Sequence, residues 1–187
     1  MALSTTDLQT GTWTLDMSHS DIAFIVRHAG ISKVRGKFTS AEGAVKVAEN
    51  VEDASVEVTI QADSFDSGDA GRDGHVKSAD FFDVEQFPTL KFVSTGISGN
   101  TEEFELTGDL TIRDETHPVT LKVESEGVAV DPFGATRAAF SGKTTISRKQ
   151  WGLTWNAALE AGGVLVSDKV VIEIDAAFVK ANAEEAN

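Results

Sequence analysis

Four histidines are the residues best suited to metal binding or acid–base chemistry in this sequence, and their spacing favours neither. They are His19, His28, His75 and His117. No two of them stand at the spacing of a helical zinc motif, and the chain contains no cysteine, the other common ligand of such sites. We therefore predict no bound metal and no thiol or disulfide chemistry, although residues on separate strands can still converge in the folded chain.

Signatures of nucleophilic catalysis and of phosphate binding are also absent from the sequence. No G-x-S-x-G elbow occurs. Gly68, Gly71 and Gly74 recur every third residue but lack the strand-to-helix context and the lysine of a phosphate-binding loop. Asp80 and Asp83 flank a phenylalanine pair and are interpreted as capping and solvating carboxylates. The sequence thus predicts no catalytic residue, no cofactor and no enzyme; the alternative is a hydrolase or isomerase that uses histidine and aspartate in a small pocket.

Arg72, His75 and Lys77 form a group of three potential cations within two helical turns. Arg72 and His75 are three residues apart and can share one face of a helix. At the mouth of a cavity, such a group can hold a pyrophosphate, amide or carboxylate headgroup. The alternative is structural: Arg72 and Asp73 would then tie this part of the chain to the rest through salt bridges. Both interpretations stay open at this point.

Most of the chain outside this region alternates apolar and polar residues with period two, which is the pattern of half-buried strands. About eight such runs are separated by short turns, without the alternation of strands and helices that indicates a parallel sheet. The sequence therefore predicts an all-β fold, an antiparallel barrel of about eight strands with a short helix and an aromatic lid segment. One domain is expected over residues 1–187, with the barrel at about 11–179 and a polar tail at 180–187.

The aromatic lid is expected in the segment Arg72–Phe92, whose composition fits neither a regular strand nor a linker. Asp69 is expected to cap a short helix over Ala70–Ser78, which leads into this segment. Two large apolar residues in a connection, Phe81 and Phe82, favour a segment that folds over something apolar. Because adjacent residues of an extended segment point to opposite sides, one ring is expected to face the barrel and the other to pack outward.

The inward faces of the predicted strands combine large apolar side chains with small ones, which favours a cavity over a filled interior. The small residues are Gly36, Ala62, Gly108, Ala138, Gly142 and Ala176. The residues predicted to contact a ligand come from the strands, the aromatic segment and a Gly- and Ala-rich loop at 153–165; they are Phe24, Val26, His28, Phe38, Val58, Ile60, Phe81, Phe82, Phe92, Leu106, Phe140 and Trp155. A tapered, fully packed barrel that acts only as an interaction module is the alternative.

The charge of the chain limits its partners. Its net charge is −14 at pH 7, which repels nucleic acid and anionic membrane surfaces as a whole. No apolar run approaches the ~20 residues of a membrane helix, and residues 1–12 lack the basic start and apolar centre of a signal peptide. We therefore expect no nucleic-acid partner, no integral membrane segment and a cytoplasmic location.

The aromatic segment resembles the central signature of the YceI-like family. The matching runs are Arg72–His75, Ser78–Val84 and Phe87–Pro88. Further matches lie on both sides, so that the resemblance covers nearly the whole predicted barrel. These outlying matches are Trp13, Asp16, His19, Ser20, Phe24, His28, Gly36 and Phe38 before the segment, and Gly108–Ile112, Phe140, Arg148, Gly152 and Ser167–Val170 after it.

This resemblance implies a lipocalin-like barrel that binds a polyisoprenoid or a similar lipid, for example a quinone precursor or a prenyl carrier. The implied function is to bind and to sequester or carry a long-chain apolar lipid in the barrel interior, with polar groups at the mouth positioning its head. The resemblance also implies a homodimer, for which the outward residues Ala23 and Ile25 offer an apolar surface.

Overall fold

The computed structural model describes residues 8–181, in which eleven strands and one α-helix are found. The helix is α1 (Ala70–Lys77), and short 3₁₀ turns cover residues 17–19, 51–53, 62–64 and 148–151. The strands are β1 (Gly11–Leu15), β2 (Asp21–His28), β3 (Ser32–Phe38), β4 (Ala41–Val47), β5 (Ser55–Gln61), β6 (Phe65–Asp66), β7 (Thr89–Gly99), β8 (Glu103–Ile112), β9 (Glu115–Val130), β10 (Thr136–Ser147) and β11 (Lys169–Lys180).

Eight of these strands close into a barrel. They hydrogen-bond in the order β1-β4-β5-β7-β8-β9-β10-β11, and β11 pairs with β1 to complete the circle. Every pairing is antiparallel, and the first half of β11 also pairs with β2, which continues to β3 and β6. The predicted antiparallel barrel of about eight strands is therefore confirmed. Closure removes the two free edge strands that an open sheet of these strands would have, which limits pairing with other chains.

The carboxylate of Asp16 stabilises the connection between β1 and β2. Asp16 accepts the backbone N–H of Ser18 at 3.0 Å, and its other oxygen receives the Arg137 guanidinium at 2.5 Å. The side-chain hydrogen bond from Ser18, with those from His19 and Arg137, holds the pKa of Asp16 well below its usual range. Arg137 also donates to Asp131 at 2.9 Å. This ion-pair network ties the β1–β2 corner to the β9–β10 hairpin.

The apolar faces of the strands point into the barrel and form its core. The most completely buried large side chains are Trp13, Phe38 and Trp151. The Trp151 indole N–H donates to the carbonyl of Leu110 at 2.9 Å, so its polar atom is satisfied inside the core. Alternation along the strands therefore predicts which face is buried, as half-buried strands require.

Two of the small inward residues do not leave open space, contrary to the reasoning from sequence. A Cβ on Gly36 would lie 2.5 Å from the ring of Phe65, and a Cβ on Gly108 would lie 2.4 Å from the ring of Phe92. These glycines are sites where an aromatic ring lies directly on the backbone. At Gly142, by contrast, the nearest atom would be a methyl of Leu121 at 3.5 Å, which is ordinary contact.

Helix α1 begins at the predicted cap, since the Asp69 carboxylate accepts the backbone N–H of Arg72 at 2.8 Å. It ends at Lys77, one residue before the predicted end. Residues 78–88 then follow a series of turns rather than an extended path. We call residues 72–88 the lid segment. It packs beside β3 and β6 and beside the β8–β9 turn, where the Arg113 guanidinium contacts the carbonyl of Phe81 at 3.4 Å.

The β8–β9 connection consists only of Arg113 and Asp114. Strand β9 already begins at Glu115, so His117 belongs to a strand, and its ring meets that of Trp151 edge-on at 5.2 Å. Within the described part of the chain, no helix is long and apolar enough to cross a membrane.

Candidate functional site

The barrel interior contains an apolar cavity of about 430 Å³. Six of the residues predicted to contact a ligand line it: Phe24, Val58, Ile60, Phe92, Leu106 and Phe140. Along β8 the lining runs from Phe104 to Ile112, which corresponds to roughly 26 Å of strand at ~3.3 Å per residue. The cavity is therefore elongated and follows the barrel for most of its length.

The cavity reaches the surface at the end of the barrel that carries the β4–β5 and β7–β8 connections. Its lining there includes Val47, Ala48 and Glu49 after β4, Val51 in the following turn, and Thr101 between β7 and β8. Glu49 is exposed, whereas the other four are half-buried. We call these five residues the cavity mouth.

The opposite end is closed by aromatic side chains. Phe38 is 1% exposed, and its ring lies 4.9 Å from Phe24, 5.6 Å from Phe65 and 5.6 Å from Phe82. Among these rings only Phe24 lines the cavity. Phe38 was predicted to line the cavity, but the structure places it in the layer beneath, because the lid segment packs against it from outside the barrel.

The two adjacent phenylalanines of the lid segment point to different sides, as predicted. Phe82 packs on the barrel core through Phe24, Phe38 and Phe65. The ring of Phe81 lies 5.6 Å from Trp155. Their backbone forms a turn, so the turn geometry rather than an extended strand separates the rings. Neither Phe81, Phe82 nor Trp155 lines the cavity. Phe82 belongs to the aromatic layer at its closed end, whereas Phe81 and Trp155 pack on each other and on His75.

We expect Phe82→Ala to lower the free energy of unfolding by about 2–4 kcal/mol, slightly less than a fully buried phenylalanine because Phe82 is half-buried. Phe81→Ala is the matched control. It removes the same atoms at the neighbouring position, where the phenylalanine ring is not part of the core cluster. Its expected loss is below about 2 kcal/mol. Denaturant unfolding of both variants tests this, and equal losses would show that both rings belong to one core.

The inward face of β2 was predicted to bring two more residues to the ligand, and the structure does not bring them to the cavity. Val26 is half-buried and packs against the core without reaching the cavity wall. His28 is exposed at the end of β2, where its backbone forms a bridge with Val166. The strand extends past the closed end of the cavity, so alternation alone overestimates how many of its residues line the interior.

The structure places Arg72, His75 and Lys77 away from the cavity mouth, which corrects their expected position. Arg72 donates to the hydroxyl and the carbonyl of Ser67 at 2.7 and 2.9 Å. The His75 ring pairs with Asp80 at 2.9 Å. These contacts hold α1 to the segments beside it, and none of the three cations lines the cavity. Arg72 and Asp73 were expected to form salt bridges, but both instead form hydrogen bonds with Ser67. The Asp73 carboxylate accepts from the Ser67 hydroxyl at 2.5 Å.

Several lining residues were not among the predicted ligand contacts. Phe104, Ile174 and Phe178 lie on inward strand positions, and the same alternation that identified their neighbours marks them as well. Leu8 and Val51 come from outside the strands and have no periodic signal. Sequence periodicity therefore finds the wall of the cavity but not its mouth.

The side chains of Asp16, Ser18 and His19 are of the types found in a hydrolytic triad, but they do not have its geometry. The Nδ1 atom of His19 contacts both Ser18 Oγ at 3.0 Å and Asp16 Oδ2 at 2.9 Å. A relay needs the two ring nitrogens to serve different partners. The Ser18 hydroxyl also donates to Asp16 at 2.6 Å, so its proton is directed to a carboxylate rather than to a base. This cluster is a turn cap, and the histidine–aspartate hydrolase is not favoured.

Over residues 8–181, no group of three or more histidine, aspartate or glutamate side chains is arranged to hold a metal ion. The absence of a metal and of a cofactor stays a prediction. Asp168, for example, accepts a hydrogen bond from the Ser147 hydroxyl at 2.7 Å. That hydrogen bond is the main cause of the lowered pKa of Asp168.

Comparison with known proteins places this architecture in a family. The sequence profile of the YceI-like domain matches residues 13–178. A UPF0312 protein of Shewanella denitrificans is 41% identical over 139 residues, which are 73% of this chain and 72% of that protein. A UPF0312 protein of Staphylococcus epidermidis is 36% identical over 167 residues, which are 87% of this chain and 94% of that protein.

Solved structures share the fold. BcnA of Burkholderia cenocepacia superposes with a TM-score of 0.74 at 25% identity, over 87% of this chain and 98% of its own. A Saccharophagus degradans domain described as polyisoprenoid-binding superposes with a TM-score of 0.69 at 11% identity, over 92% of this chain and 100% of its own. Together with the profile match, which covers most of the barrel, these similarities show that the chain belongs to the family of proteins with a YceI-like domain.

Proposed function

We propose that the protein binds a long-chain apolar lipid, of the polyisoprenoid or isoprenoid-quinone type, inside the barrel and thereby sequesters or carries it. The observation that carries this proposal is the elongated cavity of about 430 Å³, whose lining is almost entirely apolar. This size lies within the usual range of sites for small ligands. The resemblance of the fold to a domain described as polyisoprenoid-binding supports the same class of ligand.

The energetics favour a long chain over a short one. Each buried CH₂ group contributes roughly 0.8 kcal/mol, and micromolar binding corresponds to about 8 kcal/mol. About ten buried carbons would match that affinity before the loss of freedom on association is subtracted. A ligand of several prenyl units therefore binds usefully, whereas one or two units alone bind weakly.

The two alternative functions have less support. A hydrolase or isomerase needs convergent groups beside a pocket, and among residues 8–181 the polar members of the lining are only Glu49, Thr101 and Thr144. A filled barrel acting as an interaction module is at odds with the cavity itself. The implied homodimer stays a prediction that sedimentation velocity would test; Ala23 is fully buried within one chain and does not supply the surface expected for it.

Native mass spectrometry of the protein purified from its own host tests the proposal. We expect one apolar chain per barrel, released into organic solvent and identified by its mass. In parallel, geranylgeraniol should displace the neutral fluorescent probe N-phenyl-1-naphthylamine from the delipidated protein. A barrel that is purified empty and binds neither compound would overturn the proposal.

A further inference from the structure

The wall of the cavity contains no positive charge within the described part of the chain. Its polar members are Glu49 and Thr101 at the mouth and Thr144 deeper inside. An anionic headgroup in this cavity would lose its hydration without gaining a cation or a cluster of donors, which is unfavourable. Among the described lining residues, the only charged one that a bound headgroup would meet is a carboxylate.

The loops around the mouth add further negative charge. Glu52 and Asp53 follow the lining residue Val51 in the β4–β5 connection, and Glu102 and Glu103 follow Thr101, with Glu103 as the first residue of β8. All four acidic residues are exposed. With Glu49 they surround the opening, so that an approaching anion is repelled before it reaches the cavity.

Three backbone N–H groups beside these acidic residues are already used within the loops. The N–H groups of Glu102 and Glu103 both donate to the side chain of Asn100, at 2.9 and 3.0 Å. On the other side of the mouth, the N–H of Asp53 donates to the Asn50 carbonyl at 3.1 Å. These donors are used to form the turns themselves.

The basic residues at this end of the barrel do not reach the cavity lining. Lys46 alternates with the lining residues Val45 and Val47 and so belongs to the outer face of β4. Arg137 is bonded to two carboxylates. Lys180 is half-buried at the end of β11, opposite Trp13 and on the same strand face as the lining residues Ala176 and Phe178, but it is not itself a lining residue. The terminal residues 1–7 and 182–187, which lie outside the described range, contain no lysine, arginine or histidine in their sequence.

We propose that the mouth selects lipids by their headgroup: it accepts a long apolar chain that ends in an uncharged hydroxyl or a similar hydrogen-bond donor, and it rejects chains that end in a phosphate, diphosphate or carboxylate. This inference rests on the proposed lipid-binding function and specifies its ligand. An ionised carboxylate such as Glu49 only accepts hydrogen bonds, so a hydroxyl can donate to it, whereas an ionised phosphate meets like charge. Thr101 belongs to the same mouth.

The test compares two ligands with the same C20 chain. Geranylgeraniol and geranylgeranyl diphosphate are titrated against the delipidated protein loaded with N-phenyl-1-naphthylamine, at low salt and below their micelle concentrations. We expect the alcohol to displace the probe at a concentration at least tenfold lower than the diphosphate. This ratio should decrease as salt screens the charges at the mouth.

Charge reversal at the mouth should remove the selection. In the triple variant Glu52→Lys, Glu102→Lys, Glu103→Lys, which keeps the lining residue Glu49, the diphosphate should bind at least tenfold more tightly than it binds the unmodified protein, while the affinity for the alcohol changes less than threefold. The matched control reverses three exposed acidic residues elsewhere, Glu85→Lys, Asp109→Lys, Glu160→Lys. It changes the net charge equally and should leave the ratio of the two affinities nearly unchanged.

The outcomes separate this inference from the function on which it rests. If the diphosphate binds as tightly as the alcohol, or if the two triple variants change the ratio equally, the selection by the mouth is refuted while lipid binding stands. If neither C20 compound displaces the probe from the unmodified protein, lipid binding itself is refuted.

Discussion

Replacing Gly142 with isoleucine is expected to weaken geranylgeraniol binding at least tenfold without destabilising the fold. Gly142 lines the cavity, and a Cβ at this position would meet Leu121 at 3.5 Å and Val123 at 3.6 Å, so it fits without moving its neighbours. The rest of the new side chain then occupies space that the ligand needs. Displacing two to four methylene groups at roughly 0.8 kcal/mol each costs about 1.6–3 kcal/mol, which is about 15- to 150-fold in affinity.

The stability of this variant should stay the same or rise by up to about 1 kcal/mol. Isoleucine restricts the unfolded chain more than glycine does and favours the extended backbone of a strand. The melting temperature and the displacement of N-phenyl-1-naphthylamine by geranylgeraniol measure the two effects separately.

Gly96→Ile is the matched control for Gly142→Ile, because Gly96 is an exposed strand glycine on β7 with no atom within 4 Å of an added Cβ. This control should bind the alcohol with unchanged affinity. A Gly142→Ile protein that is folded and binds as tightly as the control would show that the ligand does not occupy the barrel interior.

Replacing Arg148 with methionine is expected to lower the free energy of unfolding by about 3–5 kcal/mol, the largest stability effect that we expect from one substitution here. The side chain is 3% exposed, and burial lowers its pKa. Its guanidinium donates to the carbonyls of Leu153, Trp155, Val166 and Ser167, at distances between 2.5 and 3.2 Å. Methionine fills similar volume but leaves these buried acceptors unpaired.

The consequence should be loosening of the loop between β10 and β11, which carries Trp155 to its contacts with Phe81 and His75. Denaturant unfolding gives the change in free energy, and Lys149→Met is the control, since this neighbouring side chain is exposed. The control should change the free energy of unfolding by less than about 0.5 kcal/mol. If Arg148→Met lowered the free energy of unfolding by less than about 1 kcal/mol, this would contradict the prediction. It would mean that water hydrogen-bonds to the four carbonyls once the guanidinium is gone.

Patterns that depend on neighbouring residues were readable in the sequence. Period-two alternation placed the strands and their inward faces, because successive side chains of a strand point to opposite sides of the sheet. The start of α1 at Asp69 followed from a carboxylate that caps free N–H groups one turn away. The family signature in the lid segment also lies within one continuous stretch. Each of these signals is local, so a single chain segment contains all of it.

The form of the cavity depended on residues that are distant in sequence and could be decided only by the tertiary structure. Gly36 and Gly142 look alike as small inward residues, yet one is covered by the ring of Phe65 and the other leaves open space. Whether a small inward residue is covered depends on where β6 and the lid segment pack, because Phe65 and Phe82 do not belong to the eight barrel strands.

The position of the mouth was decided in the same way. Arg72, His75 and Lys77 are prominent in the sequence but lie away from the mouth, whereas Glu49 and Thr101 both line the opening although 52 positions separate their residue numbers. The sequence alone determined an antiparallel barrel with an apolar inward face, because alternation is a property of single strands. Only the closed arrangement of all the strands decided which end is filled with aromatic rings and which end is open, and hence which charges a ligand meets.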